Sequence, residues 1–185
     1  MIRIPYRSLA VLLAIAVPCV AGAADYTVQA GSKLGFTSNF QGSSFDGQFN
    51  KWTANISYDA AKLASSKFDV TVDLSSAKTG DNDRDSALPG PDFFDAAKYP
   101  QAHFVTTGFR QQGAQVIADG TLTLRGVTKP VSLNVTFKPQ GSGATLDVNG
   151  SLNRLDFGVG GGDYKDTSVI GANVKVTAHL VLAAK

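Results

Sequence analysis

Apolar and polar residues alternate with a period of two along most of this chain. Trp52, Ala54, Ile56 and Tyr58 share one side of the pattern, and Thr53, Asn55 and Ser57 the other. Phe68, Val70, Val72 and Leu74 oppose Asp69, Thr71 and Asp73, and Val131, Leu133, Val135 and Phe137 oppose Ser132, Asn134 and Thr136. The same alternation carries Val116 to Leu124, Leu146 to Leu152 and Val174 to Leu182. Successive side chains of a strand point to opposite faces, so each run predicts a strand with one face in a core. Glycine-rich turn signals separate the runs at Gly42-Ser43-Ser44, Gln112-Gly113, Arg125-Gly126 and Gln140-Gly141-Ser142-Gly143. Such spacing predicts consecutive antiparallel strands whose apolar faces meet in a sandwich or close into a barrel. Closure also removes the exposed edges that long strands present. Phe45 to Tyr58 reads as one such long strand.

One segment interrupts the pattern. The Asp81–Pro100 insertion begins polar, carries Pro89-Gly90-Pro91, and then reads as a short helix over Asp92 to Lys98, with Asp92 as N-cap and Pro100 as stop. An insertion of this length is either a lid over a binding site or a plug in one end of a barrel.

Composition agrees with an all-β chain. Every acid is an aspartate, a residue that prefers turns and caps, and there are 19 glycines. Residues 1–23 read as a signal peptide: Arg3 and Arg7, an apolar run from Leu9 to Val17, and a small-residue cleavage site at Ala21-Gly22-Ala23. Export to the periplasm or outside the cell follows, with residues 24–185 forming a single domain. Ala16-Val17-Pro18 before Cys19 matches a lipoprotein signal poorly. Without Arg3 and Arg7 the 17 basic and 15 acidic side chains balance, which argues against a nucleic-acid partner. The single cysteine, Cys19, leaves with the signal, so no disulfide supports the fold.

Several stretches in order carry a family resemblance: Ser32-Lys-Leu-Gly-Phe36, Gly47-Gln-Phe-Asn50, Asp92-Phe-Phe-Asp-Ala-Ala-Lys-Tyr-Pro100, Gly120-Thr-Leu-Thr-Leu-Arg-Gly-Val-Thr-Lys-Pro130 and Arg154-Leu-Asp-Phe-Gly158. Over nearly all of residues 24–185 the chain resembles the YceI-like family of periplasmic, polyisoprenoid-binding proteins. The resemblance implies an extended, lipocalin-like antiparallel β-barrel of about eight strands, with a short helix in the Asp81–Pro100 insertion. It also implies a non-enzymatic binding, transport or sequestration role, with an amphiphilic lipid in the lumen: a polyisoprenoid, an isoprenoid quinone, an isoprenyl phosphate or a fatty-acid-like molecule. No other cofactor and no metal is implied, and loading or unloading would bring transient contact with a membrane or membrane proteins. The sequence leaves the oligomeric state open, a dimer included.

A lumen ligand needs apolar walls with few polar groups. The aromatic wall candidates are Phe36, Phe40, Phe49, Trp52, Phe68 and Phe104, and the aliphatic ones Ile56, Leu122, Leu133 and Val135. Each has ordinary core packing as its alternative role. At the polar end, Arg154 continues the alternation of Leu146, Val148, Gly150 and Leu152 onto the apolar face, with Asp156 on the same side. A buried arginine must be paired or bind an anion. Arg154 therefore reads either as an ion pair with Asp156 closing the barrel or as a contact to a polar or phosphate headgroup. Arg84 and Phe94 are further candidates at the mouth.

Other chemistry is poorly supported. Asp81, Asp83, Asp85 and Asp92 are spaced like ligands of a calcium loop, but Ser86 stands where that loop needs glycine, and prolines interrupt it. Gly158-Val159-Gly160-Gly161-Gly162 has no helix after it and reads as a turn rather than a phosphate loop. His103 and His179 form no metal or nucleophile–base spacing. Two rival roles stay open: an enzyme using Asp156 inside the barrel, or a structural or protein-binding module whose lumen is filled by its own side chains.

Overall fold

The computed structural model describes residues 23–185, so the expected signal peptide, Ala23 excepted, lies outside the described residues. The strands are β1 (Ala24–Val28), β2 (Lys33–Phe40), β3 (Ser43–Phe49), β4 (Trp52–Tyr58), β5 (Lys67–Asp73), β6 (Ala77–Lys78), β7 (Gln101–Gln112), β8 (Gln115–Leu124), β9 (Val127–Gln140), β10 (Gly143–Asn153) and β11 (Asn173–Ala184). They pair in the order β1-β4-β5-β7-β8-β9-β10-β11, all antiparallel, and β1 returns to β11. Among the described residues the result is a closed barrel of eight strands with one short α-helix.

Three of the eight strand positions are built from two pieces each. β1 and β2 follow one another along the same edge of β11, with Val28 opposite Leu182 and Phe36 opposite Val176. β4 pairs with β1 while β3 pairs with β2, and β5 pairs with β4 while β6 pairs with β3. The expected unbroken strand from Phe45 to Tyr58 is thus split at Asn50 and Lys51. The split has a consequence for facing. Phe45 and Phe49 occupy odd positions and Trp52 and Ile56 even ones, yet all four reach the interior, because the bend shifts the alternation by one residue. A bulge between Thr106 and Gly108 does the same for β7, so that Phe104 and Phe109 both point inward.

The helix in the insertion is not where the sequence places it. It spans Asn82–Ala87, with the Asp81 carboxylate accepting from the Arg84 amide at 3.0 Å as its N-cap. Asp92 to Lys98 forms consecutive turns, in which Asp95 adopts φ 50° and its carbonyl accepts from the amides of Lys98 and Tyr99. A left-handed residue in mid-segment prevents a continuous helix there. The Asp85 carboxylate accepts from the amide and hydroxyl of Thr79 at 2.6 and 2.8 Å and lies 3.7 Å from the Lys78 ammonium.

Aromatic rings fill the end of the barrel where Asp25 meets Lys185. Tyr58 packs against Phe68, Phe109 and Phe137, and Tyr26 meets Phe137 edge-on at 5.5 Å. A second apolar cluster, including Leu74, Phe94, Ala102, Phe157 and Val159, closes the opposite end beneath the insertion. Two separate cores at the two ends leave the middle of the barrel for something else.

Candidate functional site

Between the two clusters lies a hollow of about 250 Å³. A single water needs only ~10–15 Å³, so the space is many times larger than a packing defect. Its walls come from every strand position of the barrel. Leu146, Leu180, Ile56 and Phe68 lie towards the terminal end, and Phe45, Leu88, Phe93 and Phe94 towards the insertion. The alternation read from the sequence supplies these walls, because each inward-facing run brings its side chains to one shared axis.

Most of the expected wall residues come together here. Phe36, Phe49, Trp52, Ile56, Phe68, Phe104, Leu122 and Leu133 line the hollow, as do the mouth candidates Phe94 and Arg154. Four do not. Val135 is 3% exposed but belongs to the terminal core beside Tyr58 and Phe68. Phe40, at the outer end of β2, is 39% exposed and bridges to Ile170 through its backbone. Arg84 sits on the helix with its guanidinium 4.5 Å from the centre of the Phe45 ring, 3.5 Å from the Asp81 carboxylate and 3.3 Å from the Thr79 hydroxyl. Asp156 is exposed.

Arg154 makes no pair with Asp156. β10 ends at Asn153, whose side chain accepts from the Leu155 amide, and the chain turns into a short 3₁₀ helix over Arg154–Phe157. That turn breaks the alternation that would have put both residues on one face. Arg154 is 5% exposed, and its guanidinium donates to five backbone carbonyls: Gly171 at 3.1 Å, Val159 at 2.9 Å, Gly160 at 2.5 Å, and Tyr164 and Ile170 at 2.8 Å each. A guanidinium has five N–H groups, and all are used. Burial pulls its pKa below the ordinary arginine value. Its work is to gather the 159–171 segment around one side chain.

A second arginine, which the sequence presents only as a turn residue, does similar work. Arg125 and Gly126, both with positive φ (51° and 75°), form the two-residue tip of the β8–β9 hairpin. From that tip Arg125 donates to the carbonyls of Pro91 at 2.7 Å, Asp92 at 3.2 Å, Phe93 at 3.0 Å and Gly158 at 2.6 Å. The signal was present: an arginine where a two-residue hairpin usually carries asparagine or glycine has a reason to be there. Phe93 then packs on Tyr164 at 5.0 Å. The insertion and the 158–171 segment therefore form one cap, held by two arginines whose partners are backbone carbonyls.

Two glycines shape the wall. A Cβ on Gly47 would lie 2.2 Å from the Phe36 ring, and one on Gly120 would lie 2.7 Å from the Phe104 ring. Each aromatic lies flat across a neighbouring strand because that strand has no side chain at the crossing point.

A closed antiparallel barrel around an apolar hollow, plugged at one end and capped at the other, defines a lipocalin-like hollow β-barrel. The chain belongs to the YceI-like family: the YceI-like domain matches residues 26–182. It is 37% identical over 150 residues to a UPF0312 protein of Pseudomonas savastanoi pv. phaseolicola, covering 75% of this chain and 78% of that one. It is 38% identical over 128 residues to a UPF0312 protein of Vibrio cholerae, covering 66% and 68%. Among solved structures it is similar to Burkholderia cenocepacia BcnA, with 34% identity, a TM-score of 0.80, and coverage of 84% of this chain and 99% of that one. A polyisoprenoid binding domain from Saccharophagus degradans shares the fold at 19% identity and a TM-score of 0.67, covering 88% and 99%.

Proposed function

We propose that this protein is a non-enzymatic carrier or sequestering protein, acting in the periplasm or outside the cell, for an amphiphilic lipid whose long apolar chain lies in the barrel. The observation that carries this reading is the hollow itself, walled almost wholly by hydrocarbon and aromatic groups between two solid cores. Water gains little in such a space, whereas a hydrocarbon chain gains ~25 cal/mol for each Å² of apolar surface withdrawn from solvent. A ligand that is linear and apolar, such as a polyisoprenoid or a fatty-acid-like chain, suits a barrel that is narrow and extended. The Saccharophagus domain shares only the fold at this identity, and its description as polyisoprenoid-binding agrees with the proposal without carrying it.

The test is native mass spectrometry, with organic extraction, of protein purified from the periplasm of its own host. A co-purifying amphiphile of defined mass, together with a raised melting temperature on adding long-chain isoprenoids, is the expected result. Protein that emerges empty and gains no stability from any long-chain lipid would remove the reading.

A further inference from the structure

Among the described residues three large apolar side chains stand exposed, Phe40, Tyr164 and Val169, and all three lie at one place. Each touches or adjoins a residue that lines the hollow. Phe40 follows Ser38 on the same face of β2, and its backbone bridges to Ile170. Val169 precedes Ile170 in the chain, and its carbonyl accepts from the Gln41 amide at 2.7 Å. The Tyr164 ring lies 5.0 Å from that of Phe93. The apolar wall of the hollow thus continues to the surface along the β2–β3 tip and the 164–170 segment, which are hydrogen-bonded to each other, and ends there as a rim. Single exposed apolar side chains need no explanation, but a group of them beside an apolar cavity marks a contact site.

The rim is also bare of charge. Residues 39–45, which carry the β2–β3 tip, and residues 167–172 contain no ionisable side chain. Exposed strand ends ordinarily carry charges that keep other molecules away. Next to the rim stand one cation, Lys165, and the carboxylates of Asp163 and Asp166, of which Asp166 accepts from the amide and hydroxyl of Ser168 at 2.8 and 2.7 Å. On the helix side Arg84 is paired with Asp81. This set has no cationic excess with which to draw an anionic surface. The size of the rim then decides between partners. A specific protein interface buries about 1,000 Å² or more, with roughly 20–30 residues a side, and three side chains on two short segments fall well short of that. A lipid surface needs no such matching, because a few apolar side chains entering the headgroup region give a weak, reversible attachment. Tyrosine suits that region, with an apolar ring and a polar hydroxyl.

We propose that Phe40, Tyr164 and Val169 form a contact with a lipid bilayer, at which the barrel loads and unloads, and that this contact works by apolar insertion among zwitterionic headgroups rather than by charge. This rests on the proposed lipid-binding role and adds the partner with which the hollow exchanges its ligand. A long apolar chain passes between bilayer and hollow without crossing water only where the two apolar phases meet, and the rim is where the wall of the hollow reaches the surface.

The test is co-sedimentation of the purified protein with vesicles of phosphatidylcholine alone, and of equal parts phosphatidylcholine and phosphatidylglycerol, at low and high salt. Wild type is compared with the triple variant Phe40→Ser, Tyr164→Ser, Val169→Ser, and melting curves check that both are folded. Wild type is expected to bind the two compositions alike and with little dependence on salt. The triple variant is expected to bind about tenfold or more weakly, as the apolar area that enters the lipid is lost. Uptake of geranylgeraniol added from ethanol is expected to be kept by the variant, read by Trp52, the only tryptophan of the chain, in the wall of the hollow. A further readout is independent of the triple variant: Val169→Trp in a Trp52→Phe background is expected to be quenched by vesicles of brominated phosphatidylcholine. Equal vesicle binding by wild type and the triple variant, binding that requires phosphatidylglycerol and is lost in high salt, or no quenching of Val169→Trp overturns the inference and leaves the lipid-binding role standing. A wild-type dimer that the triple variant does not form assigns the rim to a second copy and overturns it as well. Wild type that takes up no geranylgeraniol from solution overturns both.

Discussion

The carbonyl of Asp92 accepts from the amide of Gly160 at 2.8 Å, joining the insertion between β6 and β7 to the segment between β10 and β11. Each side of this contact is also held by an arginine: Arg125 donates to the Asp92 carbonyl, and Arg154 to the Gly160 carbonyl. Two loops far apart in sequence thereby behave as a single cap over the hollow. Loops without regular secondary structure need such partners, because their buried carbonyls otherwise go unsatisfied.

Arg125→Ala is expected to lower stability by about 2 kcal/mol, since several charge-assisted hydrogen bonds disappear but lie partly in solvent. Arg125 sits at φ 51°, a region that costs an alanine about 1 kcal/mol or more, so Arg125→Gly should be the milder of the two changes. Urea denaturation of both variants checks the order. Lipid release from either variant should be faster than from wild type, because the cap loses its tie to the hairpin.

Arg154→Met should cost more, about 3–5 kcal/mol, as five carbonyls lose their donor at a buried position. Such a loss approaches the whole stability of many domains, so the variant is expected to yield little folded protein. A well-folded Arg154→Met with an unchanged denaturation midpoint would show that the guanidinium is not the organiser of the 159–171 segment.

Gly47→Ala places a methyl group 2.2 Å from the Phe36 ring, so the ring must move into the hollow or the strands must part. Overpacking of this kind typically costs about 1–3 kcal/mol. Thermal unfolding should show that loss, and titration followed by Trp52 fluorescence should show weaker binding of long-chain lipid, because the displaced ring takes space from the ligand.

Val148→Phe tests whether the hollow itself is the binding site. Val148 lines it from β10 at the edge of the terminal core, and the larger side chain can extend into the hollow. Folding should be retained, with lipid binding reduced about tenfold or more. Unchanged lipid binding by the folded variant would move the ligand elsewhere on the protein.

Acid should destabilise the barrel through its outer surface. The Ser132 hydroxyl, donating at 2.6 Å, and then Arg110 hold Asp119 below the ordinary carboxylate value, and the Ser75 hydroxyl does the same for Asp73. A carboxylate with a depressed folded-state pKa contributes stability above its unfolded value near 3.8 and loses it as pH falls through the folded value. Urea midpoints should therefore hold from pH 7 to about 5 and fall below about pH 4. Asp119→Asn should blunt that fall, and a fall of undiminished size would assign acid sensitivity to other groups.

The strand runs, the all-β class and most of the wall residues follow from the sequence alone, because period-two alternation depends only on neighbours along one chain. Phe68, Leu122 and Leu133 were legible for that reason. Val135 obeys the same alternation, yet its depth in the barrel puts it in the terminal core, and depth is set by strand tilt and stagger across the whole sheet. The bends at Asn50 and Lys51 and the bulge in β7 also came from the sheet, which must curve to close.

The polar groups depended still more on tertiary structure. Arg154 alternates correctly with Leu152, but the chain turns after Asn153, and its partners are carbonyls up to 17 residues ahead. A backbone carbonyl has no residue type, so no pattern of side chains could announce it as a partner. Ser38 is one serine among many in the sequence. Only the closing of the barrel withdraws it from bulk water and sets it in the wall of the hollow. Local periodicity set which way the side chains point; closure and long-range pairing decided what they meet there.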